Sequence, residues 1–193
     1  MPRSAFFSKD EVVAAALRLV QRDGFSSLTA RALSKELGCS LSPLFTLFKD
    51  MDEIVASVRV AGEAYFDEYM KDVDQFFPAF KEFGIRMIRF EREEPNLAWM
   101  LFTSPGGNPK KPEMMAKRLL MAVDHGYGLS EEQAELLFRQ MWAVSTGAVS
   151  LFRQSPQEFT EELISSIMSC NFAAMMGLIK SGRPVEDIVP KHK

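Results

Sequence analysis

Apolar residues recur at helical spacing along nearly the whole chain. A capping box at Ser8 and Glu11 opens the first such segment, and Gly24 ends it. A second, shorter segment begins at Thr29 and stops at Gly38. No stretch alternates apolar and polar residues with the β-branched enrichment of strands. The pattern therefore predicts an all-α protein of about nine helices.

The segment GCSLSPLFTLFKDMDEI, residues 38–54, mixes apolar residues with helix-breaking ones. It fits a short helix that starts either with Ser40 as N-cap or with Ser42 as N-cap and Pro43 in the first position. Leu44 and Phe48 would then face inward. The alternative is a surface turn of an ordinary helical bundle. Two short helices joined by a tight turn after a longer helix are the layout of a helix-turn-helix unit.

The long segments beyond residue 50 predict a larger helical body. Asp50 and Glu53 form a cap signature for a helix over residues 51–73. Two long helices are predicted over 131–152 and 156–180, the second capped by Ser155. Both are apolar on more than one face and carry small residues that permit close helix approach. Those residues are Ala143, Gly147, Ala148, Ala173, Ala174 and Gly177.

Charge and composition narrow the class of protein. The net charge is −3, but residues 1–49 hold seven basic and four acidic side chains, or +3, which leaves −6 for the rest. A basic head on an acidic body indicates an anionic partner at one end. The two cysteines, Cys39 and Cys170, fit small buried or half-buried residues in a reducing compartment. With no apolar run near the length of a membrane span and no signal peptide, we expect a cytoplasmic protein and no membrane partner.

The sequence offers no chemistry for catalysis. No cluster of histidine, cysteine or acidic residues has metal-ligand spacing. The loop PGGNPKKP, residues 105–112, lacks the Lys-Ser/Thr ending of a phosphate-binding loop. With only His125 and His192 in the chain, no Ser-His-Asp set is visible. We therefore expect no enzyme, no metal and no cofactor.

Residues 8–58 resemble the DNA-binding domain of the TetR/AcrR family of bacterial transcriptional regulators. The segments that carry the resemblance are the Gly24-Phe25 turn, Leu28-Thr29 with Arg31, Gly38-Cys39-Ser40, Leu44-Phe45 with Phe48, and Asp52-Glu53-Ile54. The resemblance implies a DNA-binding domain over residues 1–50 and an effector-binding and dimerisation domain over 51–193. It also implies a homodimer that pairs through the last two long helices, rather than using them only as the core of one chain.

The resemblance also implies which residues meet the DNA. The recognition helix spans residues 40–48 and enters the major groove of an operator duplex. Its expected groove-facing side chains are those of Leu41, Ser42, Pro43, Phe45 and Thr46, behind Ser40 as N-cap. Phosphates would be met by Arg31, Lys49 and Thr29.

Three positions depart from the family pattern. The family usually has tyrosine at position 45, lysine at 51 and a polar or basic residue at 41, whereas this chain has Phe45, Met51 and Leu41. The loss of these phosphate contacts predicts weak non-specific binding, or compensation from cations such as Lys9, Lys49 and Arg3. Apolar contact between a thymine methyl group and Leu41 or Pro43 is physically reasonable.

The body is rich in aromatic residues and methionine, which suit irregular apolar pockets. Residues 76, 80, 83, 87 and 90 form one helical stripe. Such residues are either plain core or the wall of a cavity for a hydrophobic effector. The candidate ligand contacts are Phe83, Met87, Phe90, Trp99, Phe102, Met121, Met141, Trp142 and Phe172.

These features together predict a ligand-responsive DNA-binding regulator, a repressor released from its operator by an apolar small molecule. The helix from Met51 joins the two predicted regions and is the expected lever. The alternative is a helical module for small-molecule binding or protein interaction with weakened or lost operator binding. Phe45, Met51 and Leu41 favour that alternative.

Overall fold

The computed structural model describes residues 7–76, 78–122, 128–155 and 157–182. Within these ranges every regular element is helical, with nine α-helices and no strand, which confirms the all-α prediction. The helices are α1 (Lys9–Asp23), α2 (Ala30–Glu36), α3 (Ser42–Leu47), α4 (Met51–Tyr69), α5 (Ala79–Glu93), α6 (Pro95–Phe102), α7 (Lys110–Ala122), α8 (Glu131–Gln154) and α9 (Glu161–Lys180). Short 3₁₀ turns lie at Phe25–Ser27 and Val73–Gln75.

The described residues form two compact units. The head unit holds the residues up to Tyr69 together with Glu93–Pro109, and the body unit holds Met70–Arg92 and the residues from Lys110 onward. The family resemblance implies a boundary after residue 50, between a DNA-binding domain and an effector-binding domain. Packing divides the chain differently, because α4 and α6 both pack on α1 and on each other.

The head unit is built around α1, whose inward face is fully apolar. Its buried side chains are Val12, Ala15, Ala16, Leu19 and Val20. The predicted capping box is present, since Ser8 Oγ accepts the Glu11 amide at 3.1 Å and the Glu11 carboxylate accepts the Ser8 amide at 2.7 Å. Leu33, Leu44 and Ile54, from α2, α3 and α4, are also completely buried. The three N-terminal helices therefore share a core that α4 completes.

Helix α6 belongs to the head unit although it lies far along the chain. A Cβ added at Gly62 of α4 would lie 3.0 Å from Leu97 and 3.1 Å from Met100 of α6, so the two helices cross closely because this position is glycine. The Arg59 guanidinium donates to the Ser104 hydroxyl at 3.0 Å and to the Pro105 carbonyl at 2.7 Å. Burial lowers the pKa of Arg59 from its usual value. Arg59 thus fixes the loop that follows α6 against α4.

In the body unit α8 packs against α9 and α7. Most of the aromatic stripe on α5 is core, with Phe80, Phe83 and Phe90 buried. Phe76 precedes the helix and is 49% exposed. The Phe80 and Phe138 rings meet edge to face at 6.5 Å, which joins α5 to α8. The plain-core interpretation therefore holds for Phe83 and Phe90.

Two predicted helix boundaries are wrong. The last helix begins at Glu161 with Thr160 as N-cap, whose hydroxyl accepts the Leu163 amide at 3.3 Å. Ser155 does not cap it, since its carbonyl accepts the amides of Glu158 and Phe159 in a separate turn. The helix from Met51 ends at Tyr69 rather than at 73, since Asp72 has a left-handed φ of 61°, which a right-handed helix does not contain.

One described helix, α9, is long and apolar enough by length and composition alone to span a bilayer. A helix in the core of a soluble protein meets the same criterion.

Candidate functional site

The turn between α2 and α3 has the geometry that the sequence predicts. Thr29 caps α2, and its hydroxyl oxygen accepts the Ala32 amide at 3.2 Å. Gly38 has a φ of 65°, a conformation that strains any residue with a side chain. Its amide donates to the carbonyl oxygen of Lys35 at 3.1 Å. The next amide, that of Cys39, donates to the carbonyl oxygen of Ser34 at 2.9 Å. This turn ends α2 and fixes where α3 begins.

Helix α3 presents two faces of different character. Leu44 is fully buried and Phe48 is 1% exposed, so these two side chains hold the segment to the head unit. On the other face Leu41 is 46% exposed and Phe45 is 43% exposed. Ser42 and Thr46 are also exposed, and Pro43 is half-buried. The structure therefore brings the predicted groove-facing residues onto one outward surface, which we call the α3 face.

The start of α3 differs from both predicted forms. The helix begins at Ser42 with Leu41 in the cap position, and no side chain caps it. Ser40 is therefore not its N-cap. Pro43 lies in the first turn, where an amide has no partner within the helix, so its missing N–H is tolerated.

The start of α4 is tied to α1 by acidic side chains. Asp50 Oδ1 accepts the Glu53 amide at 2.9 Å, as its predicted role in the cap requires. The Glu53 carboxylate accepts the Lys49 amide at 2.7 Å and the Lys9 ammonium at 2.6 Å. The Lys49 amide and then Lys9 lower the pKa of Glu53. Lys9, whose ammonium also lies 4.8 Å from the Phe48 ring centroid, is thus engaged inside the head unit.

Two cations of the head unit, Arg31 and Lys49, remain exposed to solvent. Arg31 is exposed on α2, and no ion pair involves it within the described ranges. The Lys49 side chain is 87% exposed, with its ammonium 3.9 Å from Asp50. The Thr29 hydroxyl keeps its proton for an external acceptor, because its cap bond uses only the oxygen. Met51 is half-buried at the first position of α4.

A cavity of about 160 Å³ lies within the body unit. Its walls combine buried apolar side chains with a few residues nearer the surface. The lining residues are Pro78, Phe80, Lys81, Leu120, Met141, Met168, Ser169 and Phe172. The sequence predicts Met141 and Phe172 as ligand contacts and includes Phe80 in the helical stripe. It did not point to the other five lining residues, which are Pro78, Lys81, Leu120, Met168 and Ser169. Lys81 could have been suspected from the sequence, because it directly follows Phe80 of the apolar stripe.

The remaining predicted ligand contacts do not line this cavity. Phe83 and Phe90 are buried in the body unit, and Met87, Met121 and Trp142 are half-buried there. Trp99 and Phe102 lie in the head unit. Trp99 packs near Phe25 at 6.2 Å between ring centroids, and Phe102 meets Phe66 edge to face at 4.9 Å. Within the body unit, Met141 and Phe172 are the two of these predicted contacts that line the cavity.

Exposed faces of α8 and α9 carry small and apolar residues. On α8 these are Ala143, Gly147 and Leu151, and on α9 they are Leu163, Cys170, Ala173, Ala174, Gly177 and Leu178. Cys170 was expected to be at least half-buried, but it is exposed because it lies on this face. A Cβ added at Gly147 or Gly177 would meet no atom within 4 Å, so packing within the chain does not require glycine there. We call these surfaces the α8/α9 face.

No group of three or more His, Cys, Asp or Glu side chains able to hold a metal ion occurs among the described residues. His125 and His192 lie outside them.

Similarity to this chain is found among solved structures. No protein-family model matches it, and no curated protein sequence is significantly similar to it. A structure assigned to the TetR family of transcription regulators, from Shewanella sp. PV-4, aligns with a TM-score of 0.56 at 15% identity. The alignment covers 89% of this chain and 97% of that one.

A TetR variant from Acinetobacter baumannii AYE, solved in complex with minocycline, aligns with a TM-score of 0.51 at 19% identity. It covers 92% of this chain and 99% of the other. The chain therefore has the fold of TetR-family regulators, and the resemblance noted in residues 8–58 is confirmed at the level of the fold.

Proposed function

We propose that the protein is a dimeric, cytoplasmic, DNA-binding transcriptional regulator, a repressor that a small apolar molecule releases from its operator. The observation that carries this proposal is the exposed α3 face at the end of a helix-turn-helix whose other face is buried. A helix held in this way can enter a major groove without unfolding its own core. The fold shared with TetR-family regulators supports the same function.

In this proposal α3 reads bases while its flanks bind phosphates. Leu41, Pro43 and Phe45 contact apolar edges such as thymine methyl groups, and the hydroxyls of Ser42 and Thr46 bond to base or phosphate acceptors. The phosphate contacts come from Arg31, Lys49 and the Thr29 hydroxyl. Lys9 is left out of this set because Glu53 already binds its ammonium at 2.6 Å. With few cations on this surface, binding depends more on shape and apolar contact than is usual for DNA-binding proteins.

The α8/α9 face is the proposed dimer interface. Leu151, Leu163 and Leu178 are each 42% exposed, and exposed apolar side chains of this kind favour burial against a partner. Gly147 and Gly177 leave open space that a second copy can occupy. A two-fold dimer would place two α3 faces on successive major grooves, with half-sites about one helical turn apart.

Release of DNA requires the effector to prefer one arrangement of the two heads. A ligand shifts that equilibrium only by its difference in affinity for the two states. The sequence predicts α4 as the lever, and α4 lies within the head unit in close contact with α6. The chain passes between head and body after Tyr69, before Glu93 and after Pro109. We therefore add α6 and its flanking residues as a second covalent route for the signal.

Replacing Arg31 with alanine is expected to weaken DNA binding about tenfold or more, because an exposed guanidinium would no longer meet a phosphate. With two copies in a dimer, the dependence of log affinity on log salt concentration should become shallower by about two. Fluorescence anisotropy of labelled duplex at several salt concentrations measures both quantities. The matched control is Arg118→Ala, which removes an exposed arginine of the body unit and should change neither.

The second candidate function is a helical ligand-binding or interaction module without operator binding. It is favoured by the apolar character of the α3 face, where Leu41 and Phe45 stand exposed in place of hydrogen-bonding side chains. The Arg31→Ala experiment separates the two. A module that never binds DNA specifically would show the same weak, salt-sensitive binding in the wild type, Arg31→Ala and Arg118→Ala.

A further inference from the structure

We propose that the body-unit cavity binds a small organic anion, a single apolar ring bearing a carboxylate that pairs with the Lys81 ammonium. Its regulatory consequence rests on the proposed function, but the binding itself does not. The inference narrows the effector from any apolar molecule to a specific chemical class. It follows from the size of the cavity, its walls and the one charged group beside it.

The size and walls of the cavity set the body of the ligand. The volume of about 160 Å³ is close to that of an apolar protein cavity that accepts benzene. Phe80, Leu120, Met141 and Met168 are all at least nine-tenths buried, and they make most of the wall apolar. Phe172 is half-buried and adds an aromatic surface. Such a space suits one ring and excludes larger multi-ring molecules.

The polar groups at the cavity set the charge of the ligand. The Ser169 hydroxyl already donates to the Ser165 carbonyl at 2.8 Å, so it offers a ligand only an acceptor oxygen. Pro78 has no amide proton. Lys81 is therefore the one lining residue whose side chain has donors to give. It is half-buried, and within the described part of the chain no ion pair engages its ammonium.

The surroundings of Lys81 also favour an anion. Lys81 lies in the first turn of α5, near the positive end of the helix dipole. The adjacent acid, Glu82, accepts a bond from Arg86 at 2.9 Å and so has its own cationic partner. Next to apolar walls the attraction between an ammonium and a carboxylate is stronger than in water. A neutral ligand of the same shape would leave the lysine without a partner, and a cation would be repelled.

Three one-ring probes of similar size distinguish this assignment: benzoate, benzamide and benzamidinium, titrated by calorimetry in a buffer free of carboxylates. We expect the wild-type protein to bind benzoate about tenfold more tightly than benzamide, and benzamidinium not at all. Lys81→Met should remove the preference for benzoate and leave benzamide binding unchanged, whereas Lys81→Arg should retain it. Lys110→Met, a change at an exposed lysine of the body unit that does not line the cavity, should behave as wild type.

A second variant locates the site independently of charge. Ser169→Phe places a ring in the cavity and should abolish binding of both benzoate and benzamide. Equal affinity of the wild type for the two, or no binding of either, would overturn the inference. Because these titrations contain no DNA, they fail or succeed separately from the proposed function. If benzoate binds to the cavity but leaves the affinity for DNA unchanged, the cavity is a binding site for organic anions but not the site of an effector.

Discussion

Replacing Arg153 with methionine is expected to lower the free energy of unfolding by about 3 kcal/mol. Arg153 of α8 donates through Nε and Nη2 to the two carboxylate oxygens of Glu91 on α5, with an Nε–Oε2 distance of 2.9 Å. The Glu91 side chain is only 5% exposed, whereas that of Arg153 is 46% exposed. Removing the arginine would leave a buried carboxylate without its cation. Urea denaturation at fixed protein concentration measures the loss.

Two controls separate this effect from a general loss of charge. The double change Glu91→Met with Arg153→Met removes both charges and should recover most of the lost stability. Arg139→Met removes an exposed partner of Glu135 on α8 and should change the free energy of unfolding by less than about 1 kcal/mol. If Arg153→Met proved no more destabilising than Arg139→Met, the ion pair between Arg153 and Glu91 would not contribute to the free energy of unfolding as we expect.

Placing arginine at position 177 is expected to break the proposed dimer and to reduce DNA affinity by about 10² to 10⁴-fold. Each copy would bring an unpaired arginine into the proposed interface, and unpaired charges buried at an interface oppose association. The loss in DNA affinity follows because each head would then bind its half-site without the other. Sedimentation velocity and duplex anisotropy on the same samples measure the two effects.

A Cβ added at Gly177 meets no atom within 4 Å in the single chain, so we expect the variant to fold and the test to report on association alone. Met114→Arg is the matched control, because Met114 is 68% exposed on another helix of the body unit, α7. It should remain dimeric and bind DNA as wild type. A Gly177→Arg protein that stays dimeric would contradict the proposed interface.

Local sequence signals located the elements well. Caps at Ser8 and Thr29, and the glycine at 38, act over a few residues, so their meaning can be read without the rest of the fold. The inward positions Leu44 and Phe48 followed from the same short-range spacing, whereas the groove-facing residues between 41 and 46 were implied by the family resemblance. The cap of the last helix was misplaced because Ser155 and Thr160 both fit a cap, and only the observed turn at Ser155 separates them.

Long-range packing was not accessible from the sequence. The position of α6 in the head unit depends on the fit of Gly62 against Leu97 and Met100, and no periodic pattern encodes that contact. The engagement of Lys9 by Glu53 joins residues 44 positions apart and removes a cation that composition alone counts as available. The sequence alone does not tell which of these side chains contact a ligand, because aromatic and methionine side chains look alike in a core and in a cavity wall.

The most direct test of specific DNA recognition is selection of binding sites from a pool of random duplexes by the protein of residues 1–193. We expect enrichment of a two-fold symmetric site whose half-sites lie about 10 base pairs apart, with thymines where the α3 face meets the bases. We also expect that the protein prefers this site over its scrambled sequence at both low and high salt. No enriched motif, or equal affinity for selected and scrambled duplexes at both salt concentrations, would contradict specific DNA recognition.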